Sequence, residues 1–360
     1  MSDDSHLKKL RVEIDALDEQ IQALITERAR YAAEVAVAKK EAGSASFYRP
    51  EREAEILRRV AERNEGPLSD AEMARLFREI ISACLALEAK QTVAYLGPEG
   101  TFTQQAVFKH FGHSVDTLAL NAVDEIFREV EAGTAQFGVV PIENSTEGVI
   151  SHTLDLFMRS QLKICGEVQL RVHHHLLAAQ DKLADVKRVV SHQQSLAQCR
   201  EWLNANLPNV ERVSVSSNAE AARQAAADTS LAAIAGESAA EIYGLGKLAT
   251  NIEDEPNNTT RFLVIGKLET RPSGKDKTSI MVSSRNKPGA LYELLGIFSR
   301  HGINMTRIES RPSRQAAWEY VFFFDIEGHA DEAPLREALR ELETESALFR
   351  TLGSYPVAVL

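Results

Sequence analysis

The chain has 360 residues, 44% of them hydrophobic, with 41 Lys and Arg against 52 Asp and Glu and a net charge of −11. That length exceeds one compact domain and fits two or three. The acid excess argues against a binder of duplex nucleic acid or of anionic membranes, yet small anions can still be held by local arginines. The opening MSDDSHLKKL lacks an apolar signal core, and no run approaches the roughly 18 apolar residues of a membrane span, so a cytoplasmic protein is expected. Cys84, Cys165 and Cys199 are isolated, without disulfide or zinc spacing, and no cofactor or metal is indicated.

Residues 1–42 contain neither Gly nor Pro, and Leu10, Ile14, Leu17, Ile21, Leu24, Tyr31 and Val35 follow helical steps. The pattern predicts one amphipathic helix from about residue 6 to 41, roughly 50 Å long. Its two short companions, RPEREAEILRRVAER and SDAEMARLFREIISACLALEAK, cannot cover that stripe, so a partner chain is expected. From Thr92 to about Leu268, strand candidates such as TVAYLG, FGVVPIEN, RVVSH and RFLVIG alternate with helical patterns, the signature of parallel α/β layers. ETRPSGKDK reads as a linker, and the remainder as βαββαβ, a ferredoxin-like order. The expected domains are therefore 1–91, all-helical; 92–268, α/β; a linker at 269–276; and 277–360.

On the long helix, Arg28 falls four residues after Leu24, within the apolar stripe, Lys39 four after Val35, and Arg11 at its margin. A buried cation needs compensation. Internal glutamates such as Glu13, Glu27 or Glu53 could supply it, but three cations on one face, plus Arg52 on the next helix, favour a polyanionic ligand. LRVEIDALDEQIQALITERARYAAEVAVAKK followed by YRPEREAEIL resembles the all-helical chorismate mutase domain. That resemblance implies an intertwined homodimer or higher homo-oligomer. It also implies that Arg11, Arg28, Lys39 and Arg52 hold the carboxylates and ether oxygen of chorismate, and Glu53 its hydroxyl. The unimolecular rearrangement to prephenate then needs no nucleophile, only cations that fold the substrate and stabilise charge on the ether oxygen. Where relatives often carry a hydroxyl residue and then Gln or Glu, this chain has Cys84 and Glu88. A glutamate beside the ether oxygen helps only when protonated, so mutase activity is expected to fall as rising pH removes the Glu88 proton.

In the middle region, YLGPEGTFTQQAV places a Gly-rich turn before a helix, where free N–H groups suit an anion. Strands end in Glu143, Asn144 and Ser145, in Ser191, His192 and Gln193, and in the cluster NNTTRF. One such end is routinely a cap; several together predict a shared cleft. These motifs resemble prephenate dehydratase over essentially all of 92–268, which implies two α/β lobes like those of periplasmic binding proteins. The family's threonine before Arg-Phe is Thr260 here. The same comparison carries Glu143, Asn144, Ser145, Ser191 and Gln198 into the site and makes Arg261 a carboxylate anchor; Gln193 replaces a usual proline. Prephenate gains aromaticity on losing CO2 and hydroxide, so a mild hydroxyl donor flanked by amides suits the task.

YGLGKLA satisfies a dinucleotide pattern but follows a helix instead of a strand, so a helix C-cap is expected there. His173, His174 and His175 alternate faces and cannot share one metal ion; they are read as strand packing and cleft edge. In the last region, NKPGALYELLGIF and IESRP resemble the ACT regulatory domain of phenylalanine-responsive dehydratases. That implies an L-phenylalanine pocket built from Gly289, Ala290, Leu291, Glu309, Ser310, Arg311 and Pro312, across a dimer interface, acting by feedback. A competing reading, a non-enzymatic amino-acid sensor with a binding-protein-like cleft, gives no use to the cation-bearing helix or to Thr260.

Overall fold

The computed structural model describes residues 2–41, 48–283, 288–313 and 320–359. Helix α1 (Ser2–Glu41) is unbroken, as the lack of Gly and Pro demands, and α2 (Pro50–Glu62) and α3 (Asp70–Glu88) follow. Ser69 caps α3 by accepting from the Glu72 N–H at 3.2 Å. Leu57, Ala74 and Ile81 form the small core of this domain. Along α1 the stripe is bare: Leu10 is 41% and Leu24 65% exposed, and Ile14, Leu17, Ile21, Tyr31 and Val35 fall between. Among the described residues of α1 the buried one is Ala36, near its end.

The α/β region runs β1 (Thr92–Leu96), α4 (Phe102–Phe111), β2 (Asp116–Leu120), α5 (Val123–Ala132), β3 (Phe137–Asn144), β4 (Gly148–Val149), α6 (Ser151–Phe157) and β5 (Lys163–Arg171). It then crosses to a second lobe: β6 (His175–Ala178), β7 (Arg188–His192), α7 (Gln193–Gln198), α8 (Arg200–Asn206), β8 (Glu211–Val215), α9 (Asn218–Ala227), β9 (Leu231–Ala235), α10 (Glu237–Tyr243) and β10 (Gly246–Ala249). The chain returns to the first lobe as β11 (Thr259–Gly266). The sheets are ordered β2-β1-β3-β11-β5 and β10-β6-β9-β7-β8. Both are mixed instead of parallel throughout: in the first, β11 comes back from the second lobe and inserts antiparallel between β3 and β5, and in the second, β6 runs antiparallel to β9 and β10. Gly244, at φ 64°, ends α10 as a left-handed cap, which accounts for the first glycine of YGLGKLA, and Gly246 opens β10.

The C-terminal region is β12 (Asp276–Ser283), α11 (Ala290–Arg300), β13 (Met305–Pro312), β14 (Tyr320–Glu327), α12 (Leu335–Glu345) and β15 (Leu348–Pro356), in sheet order β13-β14-β12-β15. One face of this sheet packs under α11 and α12 through Ile280, Leu294, Phe324 and Leu339. Met281, Val321, Phe323, Leu352 and Tyr355 on the other face share a core with Val140, Ile142 and Ile164 of the first lobe. Where β15 meets β5, Gly353 lies so close to the Ile164 carbonyl that a Cβ would overlap it. Gly353→Ala is therefore expected to cost about 1–3 kcal/mol of stability by overpacking, read as a lower unfolding midpoint.

Candidate active sites

In the register of β3 and β11, Thr260 stands opposite Asn144 and Arg261 opposite Glu143. Side chains alternate along a strand, so each strand sends one residue of these pairs to each face of the sheet. Asn144 and Thr260 face a cavity of about 390 Å³ between the lobes. Asn121, Asn258 and Phe262 line it with them, and His174, Gln198 and Asn218 come from the second lobe. No carboxylate, lysine or arginine is among its lining residues. The first turn of α4, at Phe102 and Thr103, and that of α9, at Asn218, both border the cavity, offering N–H groups in place of cationic side chains.

A connected set of hydrogen bonds crosses the cavity floor. Asn144 Nδ2 donates to Thr260 Oγ1 and to Asn258 Oδ1, each at 2.8 Å, while Asn144 Oδ1 accepts from the N–H groups of Thr146 and Glu147. Asn258 Nδ2 donates to Gln198 Oε1 at 3.2 Å, and His174 Nε2 meets the same oxygen at 2.9 Å. Burial lowers the proton affinity of the His174 ring, with the Gln198 bond opposing. The neutral ring thus carries its hydrogen on Nε2, and its buried Nδ1 has no partner among the described residues.

The other named positions lie elsewhere. Arg261 does not reach the cleft. Its Nε bonds Glu167 at 2.9 Å, one terminal nitrogen bonds Asp325 at 2.5 Å and the other the Tyr355 hydroxyl at 3.0 Å, so it ties the first lobe to the C-terminal sheet. Glu143 likewise faces away and pairs with Arg307 at 3.1 Å. Both expectations for the cleft are corrected by strand alternation. Ser191 is buried one layer behind, its single hydroxyl proton within reach of Asn218 Oδ1 at 2.9 Å and of the Ile234 carbonyl at 2.7 Å. Ser145 accepts from the Thr259 N–H at 2.9 Å, closing the strand ends. The three consecutive histidines divide among Glu253, Gln198 and the Asn251 N–H.

In the helical region, Lys39 Nζ pairs with Glu88 at 3.0 Å. Glu53 forms a buried ion pair with Arg78, a residue the sequence pattern did not single out. Burial raises the Glu53 carboxyl, Arg78 offsets part of the shift, and Arg28 also acts on it electrostatically. Arg52 pairs with Glu55 on its own helix. Arg11 lies 17 residues before Arg28 on α1, about 26 Å away along the helix. One copy of the chain therefore does not bring all four cations together.

Three family models match in order: chorismate mutase type II over 10–89, prephenate dehydratase over 93–270 and the ACT domain over 278–344. The bifunctional chorismate mutase/prephenate dehydratase of Stutzerimonas stutzeri is 58% identical over 365 aligned positions, covering 100% of both chains. The chain belongs to the bifunctional chorismate mutase/prephenate dehydratase family. Among solved structures, the L-Phe complex of prephenate dehydratase from Arthrobacter aurescens has a TM-score of 0.68 at 36% identity, covering 74% of this chain and 89% of that one. A structure described as GqqA, a novel type of quorum quenching acylase, has a TM-score of 0.69 at 30% identity, covering 75% and 99%.

Within the ACT domain, Gly289 is the left-handed cap before α11, at φ 80°, with Ala290 opening the helix and Leu291 packing on the domain core. Ser283 at the end of β12 is level with Val321, and Val321 with Arg311, so both signatures sit at one end of the sheet. β13 divides its motif between faces. Ser310 and Pro312 are exposed, whereas Arg311 turns to the dehydratase and bonds Asp155 at 2.9 Å and Ser151 at 3.0 Å. Glu309 lies on the same side of the strand as Arg311, and Ser310 on the other.

Proposed function

We propose that the protein converts chorismate to prephenate in its helical domain and prephenate to phenylpyruvate in the cleft, with L-phenylalanine binding the ACT domain as feedback inhibitor. The observation that carries the dehydratase reading is the Asn144–Thr260 pair. Thr260 Oγ1 accepts from Asn144, and no described protein group takes its own proton. That proton is available to a hydroxyl leaving the substrate. As the carboxylate departs as CO2, the electrons of its C–C bond enter the ring and the C–O bond breaks, hydroxide leaving with that bond's pair. A proton from solvent completes water, and Thr260 donates a hydrogen bond throughout without being consumed. The remaining carboxylate charge is met by the helix N-termini of α4 and α9, in the role first given to Arg261. An acylase would need a hydroxyl activated by a base, whereas Ser191 and Thr260 are bonded to amide groups.

For the mutase, Arg28, Lys39 and Arg52 of one chain are completed by Arg11 of a second copy laid along α1. A homodimer both supplies that cation and covers the exposed stripe. Glu88→Gln, whose carboxamide can donate to the ether oxygen but gives up the ion pair with Lys39, is expected to keep mutase turnover; chorismate consumption by both forms checks it. Phenylalanine at the ACT domain can act on the cleft through β11, whose consecutive residues Thr260 and Arg261 face the two places. A cytoplasmic location accords with the absence, among the described residues, of any helix long and apolar enough to cross a membrane.

Supplying chorismate and following phenylpyruvate tests the whole reading, and supplying prephenate tests the cleft alone. Binding of phenylalanine with no product from either substrate would leave the sensor reading instead.

A further inference from the structure

We infer that Asn258 is a positioning residue of the dehydratase site, holding the Asn144 carboxamide so that Thr260 keeps its hydroxyl proton turned toward the substrate. This rests on the proposed role of Thr260 at the leaving hydroxyl.

Asn258 is 2% exposed and uses both ends of its side chain, accepting from Asn144 and donating to Gln198. The direction of every bond is determined from outside. The Asn144 oxygen is taken by two backbone N–H groups, so its two N–H hydrogens must point at Asn258 and Thr260, one to each. At the far end, Gln198 Nε2 donates to the Glu147 carboxylate at 3.3 Å, so Gln198 offers Asn258 its oxygen and not its amide. Asn258 must then turn its amide to Gln198 and its oxygen to Asn144. Removing that oxygen frees an Asn144 hydrogen in a buried place and lets the carboxamide swing off Thr260. His174 and Gln198 belong to the second lobe, Asn144 and Thr260 to the first, and Asn258 to the connection between them. The orientation of one hydroxyl is thus set across the junction of the lobes. The main-chain bonds of Asn258, from its N–H to the Glu255 carbonyl and from the Val172 N–H to its own carbonyl, survive substitution.

The test is a double-mutant cycle on the full chain with prephenate, using Asn258→Ala, Thr260→Ala and the pair. Mutase turnover and the unfolding midpoint are followed alongside. Asn258→Ala should lower kcat on the order of tenfold to hundredfold with little change in KM, and the loss should nearly vanish in the Thr260→Ala background. Should the alanine variant fail to fold, Asn258→Ser, which leaves a smaller and more polar void, enters the same cycle. Additive losses, or a raised KM with kcat kept, overturn the inference while leaving the role of Thr260 intact. A Thr260→Ala enzyme with full kcat overturns both.

Discussion

Thr260→Ala is expected to lower dehydratase kcat by about 10²- to 10³-fold, the usual cost of deleting one donor aimed at developing charge. KM should change little, because the hydroxyl matters most when the C–O bond is breaking and least in the ground state. Thr260→Ser keeps the donor and should retain most of the turnover. Mutase turnover in the same chain serves as the internal control, since the cations proposed for it lie on α1 and α2. Phenylpyruvate formation from prephenate, measured beside prephenate formation from chorismate, separates the two. Parallel loss of both activities would count against independent sites.

Arg261→Ala is expected to destabilise the protein by about 3–5 kcal/mol, because it leaves buried carboxylates without their main counter-ion. The Glu167 side chain is 0% and that of Asp325 8% exposed. Glu167 keeps Lys277 at 2.9 Å and Asp325 keeps Ser279, so the loss is partial and the chain should still fold. An unfolding midpoint lower by on the order of 10 °C would register it. Arg261→Lys preserves the charge but not the fork that reaches three partners, and should fall between. Acid should mimic the substitution. Burial pushes the Asp325 carboxyl up, but Arg261 and Arg307 outweigh it and hold it below the usual carboxylate range. A depressed carboxyl contributes stability above its unfolded value near pH 4 and loses it as pH falls through the folded value. Wild type should therefore weaken below about pH 4, and Arg261→Ala should show a shallower acid limb. A variant as stable as wild type, with the same acid limb, would remove Arg261 from the interface.

Much of the architecture was readable because its signals are local. α1 follows from a helical period with no breaker, and the βαββαβ order from runs separated by turns. What escaped is directional or short. An apolar run such as Phe262–Ile265 is buried on both faces and says nothing about which way the strand runs, so the antiparallel insertion of β11 was not visible. β2, β4, β6 and β10 are too short or too exposed to stand out. Thr260 was reachable from its motif, but Arg261 was misdirected because its partners lie 94 and 64 positions away. Arg311 finds Asp155 across 156 positions, and Arg78 finds Glu53 across 25. Asn258 stood in the quoted cluster, yet no period marks a carboxamide that bridges two lobes.

The bare stripe of α1 also makes one activity answer to mass action. If a second chain must cover Leu10 through Val35 and deliver Arg11, the mutase exists only as an associated species, whereas the cleft is complete within one chain. On dilution through the dissociation constant, mutase turnover per chain should decline while dehydratase turnover holds, so the ratio of the two rates becomes a binding isotherm for the protein with itself.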